Sequence, residues 1–368
     1  MKYSRNKNVV VYVINTLQVG GAAKILKFVI KKTRHLFEKV YVITTDDDMQ
    51  MDLGENVIHV HNRVTSSVMK KGVWRATAIK NIRMVINEVR PLLVFAFISD
   101  IAVTARLATL GQKIIFISAE RGDPYTLPVY WKPLVKFTYA CSNYCIFQTE
   151  TARDFFSNNV AKKSFVIPNP YIKERSVLPY YGERKKTIVS AGRFSSEKCF
   201  DLLIQAFAMV HQKHPSYRLI LYGDGQEREY YEDLVRDLGI GKHVSFPGYV
   251  ENIPSHIREE GIFVLSSKYE GIPNALIEAM SMGLPTVSTD CTPGGPRYLT
   301  DNGRRGALVP VGDVGAMVKA INNIIENPEL ATEYSEMTKE IIPLLDADII
   351  GERWVNVINS IMNNKAIV

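Results

Sequence analysis

Two carboxylates, Glu270 and Glu278, flank a glycine-proline turn in the stretch "EGIPNALIE". Pro273 suits the first turn of a helix, because the N–H group that proline lacks would be unbonded there in any case. The N–H groups that follow would point towards an anion, and the helix dipole would add to the attraction. They belong to Asn274, Ala275 and Leu276. Glu278 lies a turn into the predicted helix, where its carboxylate can accept hydrogen bonds from the paired hydroxyls of a ribose.

A second stretch, "SAGRFSSEKCF", places two cations around a short loop. Arg193 offers a planar fork of donors and Lys198 a point charge, and together they can neutralise a diphosphate. The loop follows a predicted strand, and open α/β sheets bind ligands at the carboxyl ends of their strands. The alternative is that both residues are ordinary surface cations.

A third loop, "TLQVGGAAK", contains Gly20 and Gly21 directly after the first predicted strand. A glycine pair lets the backbone approach a ligand closely, and the helix that follows offers free N–H groups. A plain tight turn is an equally good interpretation of the pair. The G-x-G-x-x-G fingerprint is lacking in both halves of the chain, which argues against a dinucleotide oxidoreductase.

Neither the acidic run after the second predicted strand nor the cysteines are predicted to bind a metal ion. Asp46 and Asp48 in "TTDDDMQ" are hard oxygen ligands that would suit a divalent cation. Because Arg193 and Lys198 already supply positive charge, we interpret the acidic run as a solvated loop. The cysteines have no metal-ligand spacing and are predicted to be free thiols; they are Cys141, Cys145, Cys199 and Cys291.

These loops sit in a regular alternation of strands and helices along the 368-residue chain. Short, almost continuously apolar runs such as "VVVYVIN" and "LLVFAFI" are typical of parallel strands buried on both faces. The Pro-rich, charged residues 171–186 interrupt the alternation, and a second series begins at "TIVSAGR". We therefore predict an α/β protein of two Rossmann-like domains facing a cleft, residues 1–170 and 187–345, joined by a linker at 171–186. The last helix, within residues 346–368, could pack on either domain.

The composition and the net charge limit the kinds of molecule that this protein is expected to bind. With 46% hydrophobic and 23% charged residues, the chain is typical of a soluble globular protein. No run approaches the ~20 apolar residues of a transmembrane helix, and the N-terminus is better explained as a first strand than as a signal peptide. The net charge is +7, but no motif for reading nucleic acid accompanies it. An anionic membrane surface and a merely solvated basic face both remain open.

Several motifs together resemble one family. "EGIPNALIEAMSMGLPTVSTD" looks like the E-x7-E signature of the retaining glycosyltransferases of family 4, which have the GT-B fold. "AGRFSSEKCFDLLIQAF" resembles the phosphate loop of that family, and "LYGDGQERE" followed by "VSFPGYVENIP" resembles its nucleotide-base region. The resemblance covers the second domain in the right order, and the "GGA" stretch matches the glycine loop of the first.

The resemblance implies a role for each of these residues. Arg193 and Lys198 would contact the donor diphosphate, Glu278 the ribose and Glu270 the sugar, and the last helix would cross back onto the first domain. The catalytic residues are then Glu270, Arg193 and Lys198. The donor-binding residues are Gly20, Gly21, Val250, Gly271, Ile272, Pro273, Asn274, Ala275, Leu276 and Glu278.

The sequence departs from the family at two positions. Cys199 follows Lys198 where the family often has glycine. Many members carry a histidine after the strand that here reads "IIFISAERGDP", whereas this chain has Glu120 and Arg121, which become acceptor-side candidates. "CTPGGPRYL" resembles a subgroup that acts on surface polysaccharides.

The resemblance implies a retaining, metal-independent glycosyltransferase of surface polysaccharide biosynthesis, with a UDP-sugar donor and no other cofactor. It would move a hexose or N-acetylhexosamine to a lipid-linked saccharide. We expect a cytoplasmic protein, peripheral on the inner face of the cell membrane through "VYWKPLVKFTY", and no nucleic-acid partner. The alternatives are a sugar-nucleotide epimerase or hydrolase on the same fold, and a non-catalytic sugar-nucleotide-binding protein.

Overall fold

The structure is a computed structural model that describes residues 9–17, 21–45, 51–54, 57–61, 71–172 and 177–363. The chain divides into two compact units. Unit 1 comprises residues 1–170 and 348–368, and unit 2 comprises residues 171–347. Each unit is a parallel sheet flanked by helices, so the predicted α/β fold of two Rossmann-like domains is confirmed.

Unit 1 contains a seven-stranded sheet in the order β3-β2-β1-β4-β5-β6-β7, with every pair parallel. The strands are β1 Val9–Ile14, β2 Lys39–Thr44, β3 Val57–His61, β4 Leu93–Phe97, β5 Ile115–Ala119, β6 Tyr144–Phe147 and β7 Ser164–Val166. Its α-helices are α1 Gly21–Thr33, α2 Lys71–Val89, α3 Ser99–Ala108, α4 Lys132–Cys141, α5 Glu150–Asp154 and α6 Asn158–Ala161, and 3-10 turns span Arg34–Leu36 and Pro124–Thr126. Strands β1, β4 and β5 are buried at every residue, because helices cover both faces of the sheet.

Unit 2 contains a six-stranded parallel sheet in the order β10-β9-β8-β11-β12-β13. The strands are β8 Thr187–Ala191, β9 Arg218–Tyr222, β10 Val244–Gly248, β11 Ile262–Leu265, β12 Thr286–Thr289 and β13 Ala307–Val309. The α-helices are α7 Phe200–Lys213, α8 Arg228–Asp237, α9 Ile253–Ile257, α10 Asn274–Ser281, α11 Gly295–Leu299, α12 Val314–Glu326, α13 Pro328–Met337 and α14 Ile341–Leu344, and 3-10 turns span Ser196–Lys198, Gly241–His243 and Thr338–Glu340.

The strand orders locate the ligand-binding edge of each sheet. In unit 1 the chain leaves β1 towards β2 on one side, while β4 lies on the other side. In unit 2 the same reversal falls between β8 and β11. Open α/β sheets bind ligands outside the carboxyl ends of the two strands at such a switch point. The residues that follow β8 and β11 therefore form the expected ligand-binding edge of unit 2.

The last helix, α15 at Ala347–Asn363, groups with unit 1 from residue 348 onwards. Trp354 on this helix is fully buried, and its ring stacks on Phe97 at the end of β4, with centroids 6.5 Å apart. In the parts of the chain that the structure describes, none of the helices combines the length and the apolar character needed to cross a bilayer.

The predicted linker contributes to the body of unit 2. Tyr171 and Val177 are buried, and the Tyr171 N–H donates to the Leu345 carbonyl at 2.7 Å. The Arg184 guanidinium donates to carbonyls of Tyr180, Arg258, Glu260, Met282 and Gly283. It thereby binds the carboxyl end of α10, and its burial lowers its pKa to about 10.

Candidate active site

Lys198 and Glu270 form an ion pair at the switch point of unit 2. Lys198 ends the 3-10 turn after β8, and Glu270 follows β11. The Lys198 ammonium donates to Glu270 Oε1, and the Ser267 hydroxyl donates to the same oxygen at 2.8 Å. The side chains are 24% and 12% exposed, so both are largely buried but reachable from solvent. The sequence predicted that these two residues share a site, and the structure brings them into contact.

Hydrogen bonds between the two loops hold the pair in place. The Ser266 hydroxyl donates to the Lys198 carbonyl at 2.8 Å, and the Lys268 N–H donates to the Glu197 carbonyl at 2.8 Å. The Glu270 N–H in turn donates to the Thr292 carbonyl at 2.8 Å. Sequence reasoning missed the serines, although "SS" directly after an apolar strand at the binding edge is a usable signal.

Arg193 lies in the same loop but outside this contact. Its side chain is exposed, and among the described residues no ion pair or hydrogen bond joins it to Lys198 or Glu270. Its neighbour Phe194 is fully buried in edge-to-face contact with Phe200 and Tyr231. The buried phenylalanine anchors the loop, and the arginine is left facing solvent where a ligand could meet it.

Two glycines allow the β9–α8 connection to lie against this loop. A Cβ atom on Gly223 would lie 1.8 Å from the Gly192 carbonyl oxygen, and one on Gly225 would lie 2.3 Å from the Phe194 carbonyl oxygen. Both distances are impossible contacts, so any other residue would displace the loop. The glycines of "LYGDGQERE" therefore shape the loop that carries Arg193.

Cys199 has the left-handed conformation, with φ 47° and ψ 47°. Residues other than glycine adopt it at a cost, because Cβ approaches the following carbonyl oxygen. A glycine would adopt this conformation without strain, so Cys199 is a strained residue directly after Lys198. None of the four cysteines, all of which lie among the described residues, forms a disulfide bond.

Helix α10 begins at Asn274, one residue later than predicted, with Pro273 as its N-cap. Proline has no side chain that could cap the first-turn N–H groups. The Leu276 N–H donates to the Pro273 carbonyl at 3.1 Å, so the prediction that this N–H points towards an anion is wrong. Glu278 is half-buried on this helix.

The remaining donor-side residues lie at the same edge of unit 2. Gly271 packs against Gly295 of "CTPGGPRYL", where an added Cβ would lie 1.5 Å from the Gly271 carbonyl oxygen, so Gly295 has a packing role. Ile272 is buried, and Val250 is half-buried after β10.

The structure describes only some of the candidate residues in the first glycine loop and the acidic run. Gly21 is the exposed first residue of α1, whereas Gly20, Asp46 and Asp48 lie outside the described residues. Across the described residues, no group of three or more His, Cys, Asp or Glu side chains is placed to hold a metal ion.

Glu120 is buried in unit 1, where four donors surround its carboxylate. They are the hydroxyls of Ser99 and Tyr139, the latter at 3.0 Å, and the N–H groups of Arg121 and Gly122 at 3.0 and 2.8 Å. Burial raises the pKa of Glu120, and these hydrogen bonds oppose the shift. The contacts indicate that Glu120 organises the turn after β5.

Arg121 is likewise held inside unit 1. Its Nη1 donates to the Ile167 carbonyl at 3.1 Å, and its guanidinium carbon lies 5.0 Å from the centre of the Trp354 ring. Burial lowers the pKa of Arg121 to about 9. The cation–π contact accounts for guanidinium nitrogens that are buried without a hydrogen-bond acceptor in the described structure. Arg121 therefore fixes α15 against the sheet, and a direct contact with an acceptor stays a prediction.

Residues 180–341 match the family model described as Glycosyl transferases group 1. The matched segment lies within unit 2 and contains Arg193, the Lys198–Glu270 pair and α10. It covers less than half of the chain.

Three relatives show the range of the similarity. An uncharacterized glycosyltransferase of Haemophilus influenzae is 29% identical over 204 residues, 55% of this chain and 56% of that protein, so the alignment spans about half the length of this relative. The lipopolysaccharide core biosynthesis glycosyltransferase LpsE of Rhizobium meliloti is 33% identical over 155 residues, 42% of this chain and 44% of that protein. A Campylobacter jejuni α-1,4-N-acetyl-D-galactosaminyltransferase, whose name specifies an undecaprenol-diphosphate-linked saccharide, is 22% identical over 284 residues, 77% of this chain and 78% of that protein.

Solved structures share the fold at low identity. The lipopolysaccharide outer core galactosyltransferase WaaB superposes with a TM-score of 0.77 and 19% identity, covering 96% of this chain and 99% of that one. Anabaena HepE in complex with UDP and glucose gives a TM-score of 0.77 and 18% identity with the same coverage. The chain therefore has the GT-B fold of these solved structures, and residues 180–341 within it are similar to the glycosyltransferases of group 1.

Proposed function

We propose that this protein is a retaining glycosyltransferase of family 4 that moves a hexose or N-acetylhexosamine from a UDP-sugar to a saccharide acceptor. The observation that carries the proposal is the Lys198–Glu270 ion pair at the switch point of unit 2. The fixed cation can bind the diphosphate of a sugar nucleotide, and the carboxylate in contact with it can bind hydroxyls of the sugar. The solved complexes of HepE with UDP and with UDP-glucose support this class of donor.

Charge that develops on the leaving diphosphate would be stabilised by Lys198, by Arg193 and by the positive end of the α10 dipole. Lys198 is already held by Glu270 and by the backbone contacts of its loop, so it needs little rearrangement when the charge forms. Preorganised donors of this kind supply a large part of enzymatic rate enhancement. Because two side-chain cations serve the diphosphate, we propose that no divalent metal is required.

Glu270 would orient the donor sugar. Lys198 and Ser267 both bind Oε1, so Oε2 is the oxygen that can turn towards a sugar hydroxyl. A carboxylate neutralised by an ammonium group is also a weak nucleophile. In the proposed step the anomeric carbon–oxygen bond to the diphosphate breaks while the acceptor oxygen bonds to that carbon from the same face. The acceptor proton passes to the departing diphosphate, and the configuration is retained.

We propose a lipid-linked saccharide as acceptor and surface polysaccharide biosynthesis as the setting. The printed names of LpsE and of the Campylobacter jejuni relative support both parts. An acceptor of this kind would bring the protein to the inner face of the cell membrane.

The surface around the start of α4 supports membrane contact. Val129 and Tyr130 are each 82% exposed and Phe137 is 66% exposed, while Lys132 and Lys136 lie on the same short segment. Exposed apolar groups beside lysines suit an anionic lipid surface. We expect Phe137→Ser to weaken binding to anionic vesicles, and raised salt to weaken it further. Tyr230→Ser, at a half-exposed tyrosine of unit 2, is the matched control and should bind like the wild type.

The proposed activity is tested by incubating the protein with a panel of UDP- and GDP-sugars in EDTA and following release of the nucleoside diphosphate. Each reaction is run with and without lipid extract from the source cells. We expect release from one UDP-sugar that the extract increases and EDTA leaves unchanged. Anomeric analysis of the product then tests retention.

Other results would point elsewhere. Release that requires a divalent metal would overturn metal independence and bring Asp46 and Asp48 back as ligands. Equal release with and without extract would favour a hydrolase, and binding of UDP without release from any donor would favour a non-catalytic protein.

A further inference from the structure

Three side chains from the beginnings of three helices meet in unit 1. Arg75 lies near the start of α2, Asp100 in the first turn of α3, and Trp131 is the N-cap of α4. Arg75 Nη2 lies 2.7 Å from Asp100 Oδ1, and the guanidinium carbon lies 4.2 Å from the centre of the Trp131 ring. We call Arg75, Asp100 and Trp131 the unit 1 cluster.

The fold places this cluster at the ligand-binding edge of the unit 1 sheet. Helices α2, α3 and α4 follow β3, β4 and β5 along the chain, and α3 begins at Ser99, two residues after β4 ends at Phe97. Strand β4 is one of the two strands at the switch point, and Asp100 follows it by three residues. Open α/β sheets bind their ligands at this edge.

Strained backbone positions the carboxylate of the cluster. Ile98 connects β4 to α3 with φ 77° and ψ 143°, close to a region that is almost restricted to glycine. Its N–H donates to the Ala119 carbonyl at 2.8 Å, and its carbonyl accepts from the Ala102 N–H at 3.0 Å. A β-branched residue kept in this conformation next to a binding edge indicates a functional constraint on the start of α3.

The chemistry of the cluster selects a neutral ligand. One guanidinium and one carboxylate give it no net charge, which disfavours a phosphate group. Arg75 has five N–H donors, of which Asp100 engages one nitrogen, and the two side chains are 26% and 42% exposed. Donors and acceptors side by side match sugar hydroxyls, which both donate and accept. The Trp131 ring packs partly against the core of unit 1 and lies under the guanidinium, so it fixes the Arg75 donors in place.

We infer that the unit 1 cluster binds a neutral sugar unit of the acceptor saccharide. This inference rests on the proposed function and assigns its acceptor site to three residues that the sequence did not indicate as sugar ligands. Arg75 and Asp100 hydrogen-bond the sugar, Trp131 holds the guanidinium in place, and Ile98 is a positioning residue.

The test compares Asp100→Asn and Arg75→Lys with the matched control Asp348→Asn. Asp348 also lies in the first turn of a unit 1 helix and pairs with one cation, Lys32, in the last turn of α1 and so away from the binding edge. For each variant, UDP affinity is measured by calorimetry, and lipid extract is titrated into the UDP-release reaction. We expect Asp100→Asn and Arg75→Lys to raise the half-saturating extract concentration at least tenfold while UDP affinity stays unchanged. Asp348→Asn should match the wild type.

The outcomes separate this inference from the proposed function. If wild-type protein releases UDP with extract and both cluster variants saturate within twofold of it, the inference is wrong and the proposed function stands. If Asp100→Asn saturates at lower extract than wild type, a phosphate binds there, because removing the carboxylate makes the cluster cationic. If the wild type neither binds UDP nor releases it, the proposed function fails and the inference falls with it.

Discussion

Replacement of Lys198 by alanine tests the proposed diphosphate site directly. The substitution removes the cation at the switch point of unit 2 and leaves the Glu270 carboxylate, 12% exposed, with Ser267 as its remaining side-chain donor. An incoming diphosphate then loses one attraction and meets an uncompensated negative charge. The Lys198→Ala protein should therefore bind UDP more weakly, and Glu270→Gln in the same protein should restore part of the loss.

The expected size follows from the contact and its exposure. Two unit charges about 4 Å apart interact by about 4 kcal/mol at an effective dielectric constant of ~20. Lys198 is 24% exposed and shares its charge with Glu270, so we discount the loss to about 2–3 kcal/mol. At ~1.4 kcal/mol per tenfold change, this corresponds to roughly 30- to 150-fold weaker UDP binding. Removal of the unpaired charge by Glu270→Gln should recover about 1 kcal/mol, or roughly fivefold.

Calorimetric titration with UDP in EDTA measures both effects without an acceptor. The control is Lys185→Ala, because Lys185 also pairs with a buried glutamate of unit 2, Glu260, at 2.9 Å. These residues precede β8 and β11, at the opposite edge of the same sheet. UDP affinity in Lys185→Ala should equal that of the wild type. Wild-type affinity in Lys198→Ala, or an equal loss in both variants, would refute the assignment of the diphosphate to this edge.

Three further predictions concern single side chains. Arg193→Ala should lower turnover at least tenfold with little change in melting temperature, since the side chain is exposed; steady-state UDP release and thermal unfolding measure the two quantities. Cys199→Gly should raise the free energy of unfolding by about 0.5–1 kcal/mol, because relief of the left-handed strain exceeds the added entropy of the unfolded chain. Denaturant unfolding measures this, and a lower midpoint than that of the wild type would contradict it. Arg304 and Arg305 lower the pKa of Glu340 from 4.5 to about 2, so its stabilising contribution is present above pH 4.5 and is lost as the pH falls towards 2. In urea titrations Glu340→Gln should lose stability at neutral pH, and its difference from wild type should vanish near pH 2.

Features that repeat along the chain were predictable from sequence. Strands β1 and β4 are read from continuous apolar runs, because burial on both faces leaves no room for polar residues. Lys198 and Glu270 could be assigned to one site because both follow strands that a parallel sheet aligns at one edge. In each case a local pattern and a general rule of topology were sufficient.

Features that depend on contacts distant in sequence were not predictable. Arg184 lies in a stretch that sequence interprets as a linker, yet it binds the end of α10 about a hundred residues later. The unit 1 cluster joins Arg75 to Asp100 and Trp131 across three helices, and no sequence pattern links the three residues. The left-handed backbone at Cys199 was not predicted for another reason, since a cysteine by itself gives no local signal of positive φ.

The burial of Trp354 in unit 1 has a consequence for the order in which the chain folds during synthesis. All of residues 171–347 must be translated before Trp354 can reach Phe97 and Arg121. At ~5–20 residues per second, that interval lasts roughly 10–35 s. Unit 2 is a single continuous stretch of chain and can complete its core in this time. Unit 1 still lacks α15 during this interval, so the Phe97 ring is not yet covered by Trp354. Unit 1 is thus synthesised first but completed last, when α15 joins it. Nascent chains stalled before residue 354 should expose the apolar surface around Phe97 to chaperones.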